Sequence, residues 1–413
     1  MSLLLLAIVI LGCMMLILFQ TGCYPQSKPC YLFKDSPGIP LVMLLMEVSV
    51  WFLMISFIFI GAVTNIAFSD SEQVPVHAMF VFGDSLTDPG NNNDLITGAK
   101  TNYPPHGIDF PKGTTGRACN GATMADHLGY LLGLGLIPAF SKTSMEGSNF
   151  SRGVNFASEA AGILNDTGFA FGDRFPMDRQ IANLREKIIP ELQKHIGRDI
   201  TIEGFLAKSL FYSNIGTNDY QISYLNQPSY EPILYPVSTA YGDHLIEVYI
   251  AQLKELYNLG ARKFLISALA PFGCIPYNIS IYGRKNNKCV DKFNKLAREF
   301  NSKLKTTVQQ LNKNLAGAYF LYWDLYNGMM EILDHSSRYG FKNTNTACCG
   351  AGHLNSRILC LQNVPFVCAN RSEYFFWDSF HPSDATNAIV AKEAYEGILQ
   401  DIYPMNVKQL LQL

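Results

Sequence analysis

The sequence predicts an α/β fold in which an open parallel sheet is covered by helices on both faces. Three observations support this class: short runs are apolar at nearly every position, longer stretches repeat apolar residues at helical spacing, and the two kinds of segment alternate along the chain. Strands that are apolar on both faces are typical of a parallel sheet between two helical layers. In such folds ligands bind beyond the carboxyl ends of the strands, so any site is expected just after the apolar runs.

Five apolar runs are the predicted strands of this sheet. They lie at 78–82, 154–157, 210–215, 263–268 and 318–325. Gly83 directly follows the first run and Gly216 the third. Glycine is common where a strand gives way to a turn, so the polar residues beside these two glycines are the first candidates for a site.

Helical periodicity fills the stretches between the runs. In 178–196, apolar residues recur every three or four positions, and Gly197 follows as a predicted helix C-cap. The stretch 243–259 has the same pattern, and 290–311 and 385–399 are further predicted helices. Strands that alternate with helices of this length predict the doubly wound α/β class.

The first 69 residues contain two long apolar runs that do not fit this alternation. The run at 3–19 is about long enough to span a membrane, and the run at 48–67 ends in Ala-Phe-Ser, a small-x-small pattern of the kind that signal peptidase cuts. We interpret Met46 as the functional start. The chain then consists of an upstream extension at 1–45, a signal peptide at 46–69 and a single domain at 70–413.

The expected location is outside the cell, with no stable membrane insertion of the mature chain. The alternative is a protein anchored in a membrane by one or both N-terminal apolar runs. Sequons for N-glycosylation agree with secretion and lie at Asn149, Asn165, Asn278 and Asn370. The net charge of −2 gives no electrostatic reason to expect nucleic acid as a partner. We expect a monomer.

Cysteine usage also fits an oxidising compartment. The candidates for disulfides are Cys274, Cys289, Cys348, Cys349, Cys360 and Cys368. Cys274 and Cys289 bracket one short loop and are the favoured pair. The adjacent Cys348 and Cys349 then pair with the last two cysteines in either order, because sequence alone does not fix the connectivity.

The remaining cysteine of the domain, Cys119, is predicted to be a buried thiol rather than a reactive one. A zinc site formed by Cys348, Cys349 and His353 is disfavoured, because adjacent cysteines fit tetrahedral coordination poorly. We therefore predict no metal site and no cofactor.

A serine follows the first predicted strand directly, in Gly83-Asp84-Ser85-Leu86. In that position a hydroxyl projects into the crevice at the sheet edge. A serine hydroxyl becomes an effective nucleophile only when a base removes its proton during the attack. The Gly-x-Ser-x-Gly elbow is absent from this segment, which disfavours the common α/β-hydrolase fold.

A matching base lies near the other end of the chain. Asp378 precedes His381 by three residues, about one turn, so the carboxylate can hold one ring nitrogen and fix the tautomer. The other ring nitrogen is then free to accept the proton of Ser85 and to donate it to a leaving group.

Two further segments offer hydrogen-bond donors to an oxyanion. Asn218 follows the third predicted strand and carries a side-chain amide, and Gly162 ends a segment of small residues and offers a backbone N–H. With the N–H of Ser85 these make a predicted oxyanion hole, in which one donor typically contributes about 3–4 kcal/mol to transition-state stabilisation.

Taken together, these segments resemble the Gly-Asp-Ser-Leu lipases/esterases of the SGNH hydrolase superfamily, in particular their large secreted plant branch. The resemblance extends from about residue 78 to the C-terminus. It includes 102–111, 273–276 and 347–350, which are similar to that branch outside the catalytic segments.

The resemblance implies a three-layer α/β/α sandwich with a five-stranded parallel sheet, similar to flavodoxin. It also implies Ser85 as nucleophile, Asp378 and His381 as the rest of a triad, and Ser85, Gly162 and Asn218 as oxyanion donors. The activity it implies is hydrolysis of a small-molecule or lipid acyl ester through an acyl-enzyme intermediate. An acyltransferase with the same triad, or an inactive binding or accessory protein, are the alternatives.

Two positions depart from that branch. Cys119 lies where the family more often has Phe-Ser, and Glu159 lies where small residues and glycines are usual. A carboxylate that pointed into the site would oppose the negative charge of the transition state. We therefore expect Glu159 to point outward to water.

Overall fold

The computed structural model describes residues 76–142, 150–197, 199–225, 238–283, 286–363 and 366–413. The predicted upstream extension, the predicted signal peptide and the sequon at Asn149 lie outside the described residues. Within the described ranges, no helix combines the length and the apolarity that are needed to cross a membrane.

The strands among the described residues are β1 Met79–Gly83, β2 Leu210–Asn214, β3 Lys263–Ser267, β4 Tyr319–Trp323, β5 Asn343–Ala347, β6 Tyr374–Phe376 and β7 Ile402–Tyr403. The central sheet has the strand order β1-β2-β3-β4-β7. The first four are parallel, and β7 pairs antiparallel with β4. A separate pair, β5 and β6, is parallel. The predicted α/β class is therefore confirmed, but the sheet has four parallel strands and one antiparallel strand where five parallel strands were expected.

One predicted strand, at 154–157, differs from the prediction. It meets β1 at a single parallel bridge, between Val81 and Asn155. The side chain of Asn155 bonds to backbone groups, donating to the Thr87 carbonyl at 2.8 Å and accepting from the Ala157 N–H at 2.9 Å. These contacts bend the segment away from a regular ladder. The fifth strand of the sheet is instead the two-residue β7, which is too short to give a periodic signal.

Ten α-helices lie among the described residues. They are α1 Met124–Leu131, α2 Met177–Asn183, α3 Ile189–His195, α4 Ile202–Ala207, α5 Ser238–Asn258, α6 Pro276–Tyr282, α7 Asp291–Asn314, α8 Leu325–Asp334, α9 Asp384–Glu396 and α10 Val407–Leu410. The single helix predicted for 178–196 is divided into α2 and α3 by a π-helical turn, Leu184–Ile188. Pro190 stands in the first turn of α3, and its missing N–H favours such an interruption.

Alternate residues of the central strands enter two separate apolar cores. Phe80 and Phe82 of β1 pack on the face that is covered by α2, α3, α4, α5 and α7. Met79 and Val81 pack on the opposite face, against α1, α8, α9 and α10. Burial of apolar side chains on both faces makes a three-layer sandwich and fixes the sheet between its helices. The carboxyl ends of β1 and β2 consequently share one edge, where Gly83 lies opposite Asn214.

Candidate active site

Ser85 lies in a tight turn at the carboxyl end of β1. The Asp84 N–H donates to the Asn214 carbonyl of β2 at 3.3 Å, and the Leu86 N–H donates to the Asp84 carboxylate at 3.0 Å. A Cβ on Gly83 would lie 2.7 Å from the Asn214 carbonyl oxygen. The glycine thus allows β1 and β2 to approach closely where the serine leaves the sheet.

Gln180, on α2, fixes the end of β1 from the neighbouring layer. Its fully buried amide accepts from the Gly83 N–H at 2.9 Å and donates to the Gly83 carbonyl at 2.8 Å. Sequence reasoning missed this residue, because a single glutamine in a helical stretch carries no motif. Its two bonds fix the backbone two residues before the Ser85 hydroxyl.

The three predicted triad residues are in hydrogen-bond contact. His381 Nε2 lies 2.9 Å from Ser85 Oγ, although 296 positions separate the two residues. His381 Nδ1 lies 2.9 Å from each carboxylate oxygen of Asp378. Because a carboxylate only accepts, Nδ1 carries the proton and Nε2 is left as the acceptor for the serine hydroxyl.

The charge of Asp378 determines the basicity of His381. Burial alone would lower the pKa of His381, but the Asp378 carboxylate outweighs it and raises that pKa above 6.5. Burial would raise the pKa of Asp378, and the imidazolium of His381 more than reverses this, so the net shift is downward. The backbone N–H groups of Phe380 and His381 also donate to Asp378, both at 2.8 Å.

The predicted oxyanion donors have unpaired hydrogens. Within the described ranges, neither the Ser85 N–H nor the Gly162 N–H has a hydrogen-bond acceptor. Asn218 donates one amide hydrogen to the Ala161 carbonyl at 2.9 Å, which ties its side chain to the Gly162 segment. An N–H group without a partner is free to donate to an incoming acceptor, so both groups remain candidates for the predicted oxyanion hole.

Asp219 holds the Gly162 segment in place. Its buried carboxylate accepts from the Ile163 N–H at 2.9 Å, the Leu164 N–H at 3.0 Å and the Thr167 hydroxyl at 2.7 Å. A Cβ on Gly162 would lie 2.6 Å from the Asp219 carboxylate, so the close approach requires glycine. Burial raises the pKa of Asp219 to about 6. Sequence reasoning did not assign Asp219 a role, although it directly follows Asn218.

A buried histidine packs against the segment that contains Asp378 and His381. Trp377 Nε1–H donates to His106 Nδ1 at 3.0 Å, so His106 Nε2 carries the proton that points to the Cys360 carbonyl, 3.2 Å away. Burial lowers the pKa of His106, which favours this neutral form. The 102–111 segment therefore acts in packing against the catalytic segment, a role that its sequence did not reveal.

Two disulfides lie against the same segment. The closed pairs are Cys274–Cys289, Cys348–Cys368 and Cys349–Cys360. The Cys349 N–H donates to the Trp377 carbonyl at 2.7 Å, one residue before Asp378. The favoured pair is thus formed, and the order left open by the sequence is resolved. Cys119 is a buried free thiol whose pKa is raised by burial, as predicted for an unreactive cysteine.

A cavity of about 660 Å³ opens at the triad. Ser85, Asn218, Asp378 and His381 line it, whereas Gly162 is not among the lining residues. Much of the remaining wall is apolar and includes Phe171, Ile222, Phe272, Met329, Leu359 and Leu361. Such a wall suits an apolar group placed next to the nucleophile.

The outward orientation that we expected for Glu159 is wrong. Glu159 is only 5% exposed and lines the cavity, and its carboxylate accepts from the Thr101 hydroxyl at 2.5 Å. Its backbone N–H donates to Asp88 at 2.9 Å, which turns the side chain inward. The small neighbours Ser158 and Ala160 were the available signal, because they indicate a tightly packed segment.

One predicted glycosylation site does not suit the folded protein. The side chain of Asn278 is fully buried, donates to the Phe272 carbonyl at 2.7 Å and pairs with Gln221. A glycan on this amide would replace both contacts, so we withdraw the prediction for Asn278. Asn165 and Asn370 are exposed.

No group of three or more metal-binding side chains is gathered anywhere in the part of the chain that the structure describes. His353, which the sequence placed beside a conceivable zinc pair, is exposed and contacts Asn287 at 3.0 Å. Cys348 and Cys349 are each taken up by a disulfide.

Comparison with known proteins places these features in a family. The model of the GDSL-like Lipase/Acylhydrolase family matches residues 79–394. Among curated relatives from Arabidopsis thaliana, GDSL esterase/lipase At1g71691 is 44% identical over 82% of this chain and 86% of its own length. GDSL esterase/lipase At5g08460 is 38% identical over 94% of this chain and 100% of its own length. GDSL esterase/lipase 7 is 40% identical over 84% of this chain and 94% of its own length. An extracellular lipase structure from Streptomyces rimosus matches only at 12% identity and a TM-score of 0.31, over 77% of this chain and 99% of that one.

Proposed function

The chain belongs to the GDSL-like lipase/acylhydrolase family and is a carboxylic ester hydrolase, and from this premise we propose that it works through an acyl-enzyme intermediate on Ser85. The observation that carries the proposal is the continuous hydrogen-bonded path from Ser85 Oγ through the His381 ring to Asp378. Nucleophile, base and orienting carboxylate are the parts that this mechanism requires.

In the first half-reaction, Ser85 Oγ attacks the ester carbonyl carbon while His381 Nε2 takes the hydroxyl proton. The carbonyl oxygen becomes an oxyanion, and the N–H groups of Ser85 and Gly162 with the Asn218 amide bind it. Collapse of this intermediate breaks the bond to the alcohol, which leaves with the proton from His381. The acyl group remains on Ser85.

Water then repeats the attack on the acyl-serine. His381 Nε2 takes one proton from the water, and the oxygen adds to the acyl carbon. His381 returns that proton to Ser85 Oγ as the acid is released, so the enzyme regains its initial state. Throughout, the Asp378 carboxylate holds the ring and stabilises its protonated form.

The cavity wall supports an ester with one apolar part, either a lipid acyl chain or another apolar group. We propose that the protein acts outside the cell as a monomer, after removal of residues 46–69 and with glycans on the exposed Asn165 and Asn370. The three disulfides support the oxidising location. Edman sequencing of secreted protein tests the location: a start near Asp70 supports it, and retention of 48–67 in a membrane fraction contradicts it.

The mechanism is tested with a short-chain p-nitrophenyl ester. Ser85→Ala should lower hydrolysis to the background rate, whereas Ser337→Ala, at a position outside the cavity lining, should keep the wild-type rate. Mass spectrometry after rapid acid quenching should detect acyl-Ser85 in the wild-type protein. Equal turnover by wild type and Ser85→Ala would contradict the proposal.

A further inference from the structure

Glu159 places a carboxyl group in the wall of the same cavity that Ser85 and His381 line, a wall that is largely apolar elsewhere. The residue is 95% buried, since 5% of its surface is exposed, and it lines the same cavity as Ser85 and His381. The mechanism described above gives it no part. A buried carboxyl group costs free energy unless its oxygens are paired, so its presence requires an explanation.

Only one of its two carboxyl oxygens is paired. Oε1 accepts from the Thr101 hydroxyl. Oε2 has no hydrogen-bond partner among the described residues. Some unpaired side-chain atoms in that part of the chain are fully shut off from solvent, but Oε2 is not one of them. This oxygen is therefore reachable from the cavity, where a ligand can pair with it.

The backbone of Glu159 is held on both sides. Its N–H donates to Asp88 Oδ2 at 2.9 Å, and its carbonyl accepts from the Asn92 side chain at 3.0 Å. With Thr101 on the side chain, these contacts fix the direction of Oε2. A group fixed in this way loses little further conformational entropy when a ligand binds, so its hydrogen bond contributes more to affinity.

The surroundings favour the uncharged acid at neutral pH. Burial and the nearby Asp88 raise the pKa of Glu159 to about 8. Asp88 receives the better support, because Gly90, Asn91 and Glu159 all donate to it through backbone N–H groups. With Oε1 occupied as an acceptor, the proton of Glu159 belongs on Oε2, which then both donates and accepts, as a hydroxyl group does.

We propose that Glu159 is a specificity-determining residue whose Oε2 hydrogen-bonds to a hydroxyl group of the ester substrate. The preferred substrates then carry a hydroxyl close to the scissile ester, on the acyl or the alcohol side, next to an apolar portion. This inference rests on the proposed function of Ser85. A site built to bind a hydroxyl group discriminates strongly against an analogue that lacks it.

The test compares kcat/KM for esters that differ by hydroxyl groups alone. The probes are 2,3-dihydroxypropyl butyrate, propyl 3-hydroxybutyrate and propyl butyrate. We expect the wild-type protein to prefer at least one hydroxylated ester by about tenfold or more. Glu159→Met, which keeps the size of the side chain and removes both oxygens, should bring that ratio close to one.

Two variants control for indirect effects. Glu159→Gln keeps a donor and an acceptor and should restore much of the preference. Glu393 is another carboxyl group, and burial raises its pKa to about 7, but it does not line the cavity. Glu393→Gln should therefore keep the wild-type ratio. Circular dichroism will show whether Glu159→Met folds. If it does not, Thr101→Val provides an independent test, because it removes the hydrogen bond to Oε1 and should weaken the preference for hydroxylated esters.

Several outcomes would overturn the inference. The first is a wild-type kcat/KM ratio near one between the hydroxylated esters and propyl butyrate. The second is an equal loss of kcat/KM by Glu159→Met on all three esters. The third is a preference for a choline ester that Glu159→Gln removes, because residue 159 would then bind a cation as a carboxylate. Ser85→Ala separates this failure from that of the proposed function. If Ser85→Ala abolishes turnover of every ester and the ratio is independent of residue 159, only the inference on Glu159 falls.

Discussion

The Nδ1–H of His381 lies 2.9 Å from both carboxylate oxygens of Asp378, so a single imidazole faces the whole carboxylate. One of these two oxygens, Oδ1, also accepts the His381 backbone N–H at 2.8 Å. The carboxylate therefore fixes the tautomer and the position of the base together, and its removal should affect both.

Asp378→Asn should lower kcat/KM by about 10³–10⁴-fold, because an amide can turn its NH₂ to the ring and favour the wrong tautomer. Ester hydrolysis under saturating and limiting substrate measures the change. Asp334→Asn, an exposed substitution at the end of α8, is the matched control and should keep the wild-type rate. A loss of less than tenfold in Asp378→Asn would contradict the triad.

The pH profile should reveal the raised pKa of His381. The ring must be neutral to accept the serine proton, so kcat/KM should fall as the pH drops through a value above 6.5. Asp378 raises this value most, both by its charge and by its hydrogen bond to the ring. In Asp378→Asn the acid limb should move to lower pH; an unmoved limb would assign it to another group.

Glu159 should produce the alkaline limb of the same profile. Its pKa is about 8, so above that pH a carboxylate replaces the neutral acid beside the site where the oxyanion develops. The charges that face it are those of Asp88, Asp378 and His381, of which only His381 favours ionisation. We expect kcat/KM to decline above about pH 8 in the wild type and to stay level in Glu159→Gln. An alkaline limb shared by both proteins argues against this assignment.

Asn218→Ala should lower kcat by about 10²–10³-fold with little change in KM, because the amide acts on the oxyanion more than on the bound ester. Steady-state kinetics with one ester distinguish the two constants. Asn314→Ala, at the exposed end of α7, serves as the control. A rise in KM at constant kcat would mean that Asn218 binds the ground state instead.

Removal of the Cys349–Cys360 disulfide should reduce activity more than removal of Cys274–Cys289. The loops close over 11 and 15 residues, so the loss of stability should be similar, about 3 kcal/mol each. The first pair contacts Trp377 and His106 directly, whereas Cys274 lies three residues before Tyr277, whose N–H donates to the Ser379 carbonyl. Denaturant unfolding measures the loss of stability. Ester hydrolysis at temperatures well below the unfolding midpoints of both variants measures the loss of activity. Equal residual activity in the paired Cys→Ala variants would show that this brace is dispensable.

Much of the site could be predicted because its parts are local in the sequence. Asp378 and His381 lie three residues apart, and Ser85 and Asn218 each follow a buried strand. Parallel strands bring their carboxyl ends to one edge, so a local pattern was enough to place distant residues together.

The residues that were missed depend on partners that are far away along the chain. Thr101, which pairs with Glu159, lies 58 positions from it, and Gln180 lies 97 positions from Gly83. A lone carboxyl or amide has no periodicity, and the average cost of burial predicts that it faces water. The same reason explains 154–157, where apolar content predicted a strand but the side-chain bonds of Asn155 determined the local path.

The separation of 296 positions between Ser85 and His381 has a consequence for biosynthesis. A ribosome that has not yet translated residue 381 holds a polypeptide with the Ser85 hydroxyl and without the imidazole that contacts it in the folded protein. Under the proposed mechanism, every premature stop codon upstream of position 381 consequently yields a product without its base, and newly made protein cannot hydrolyse an ester until that residue has been translated.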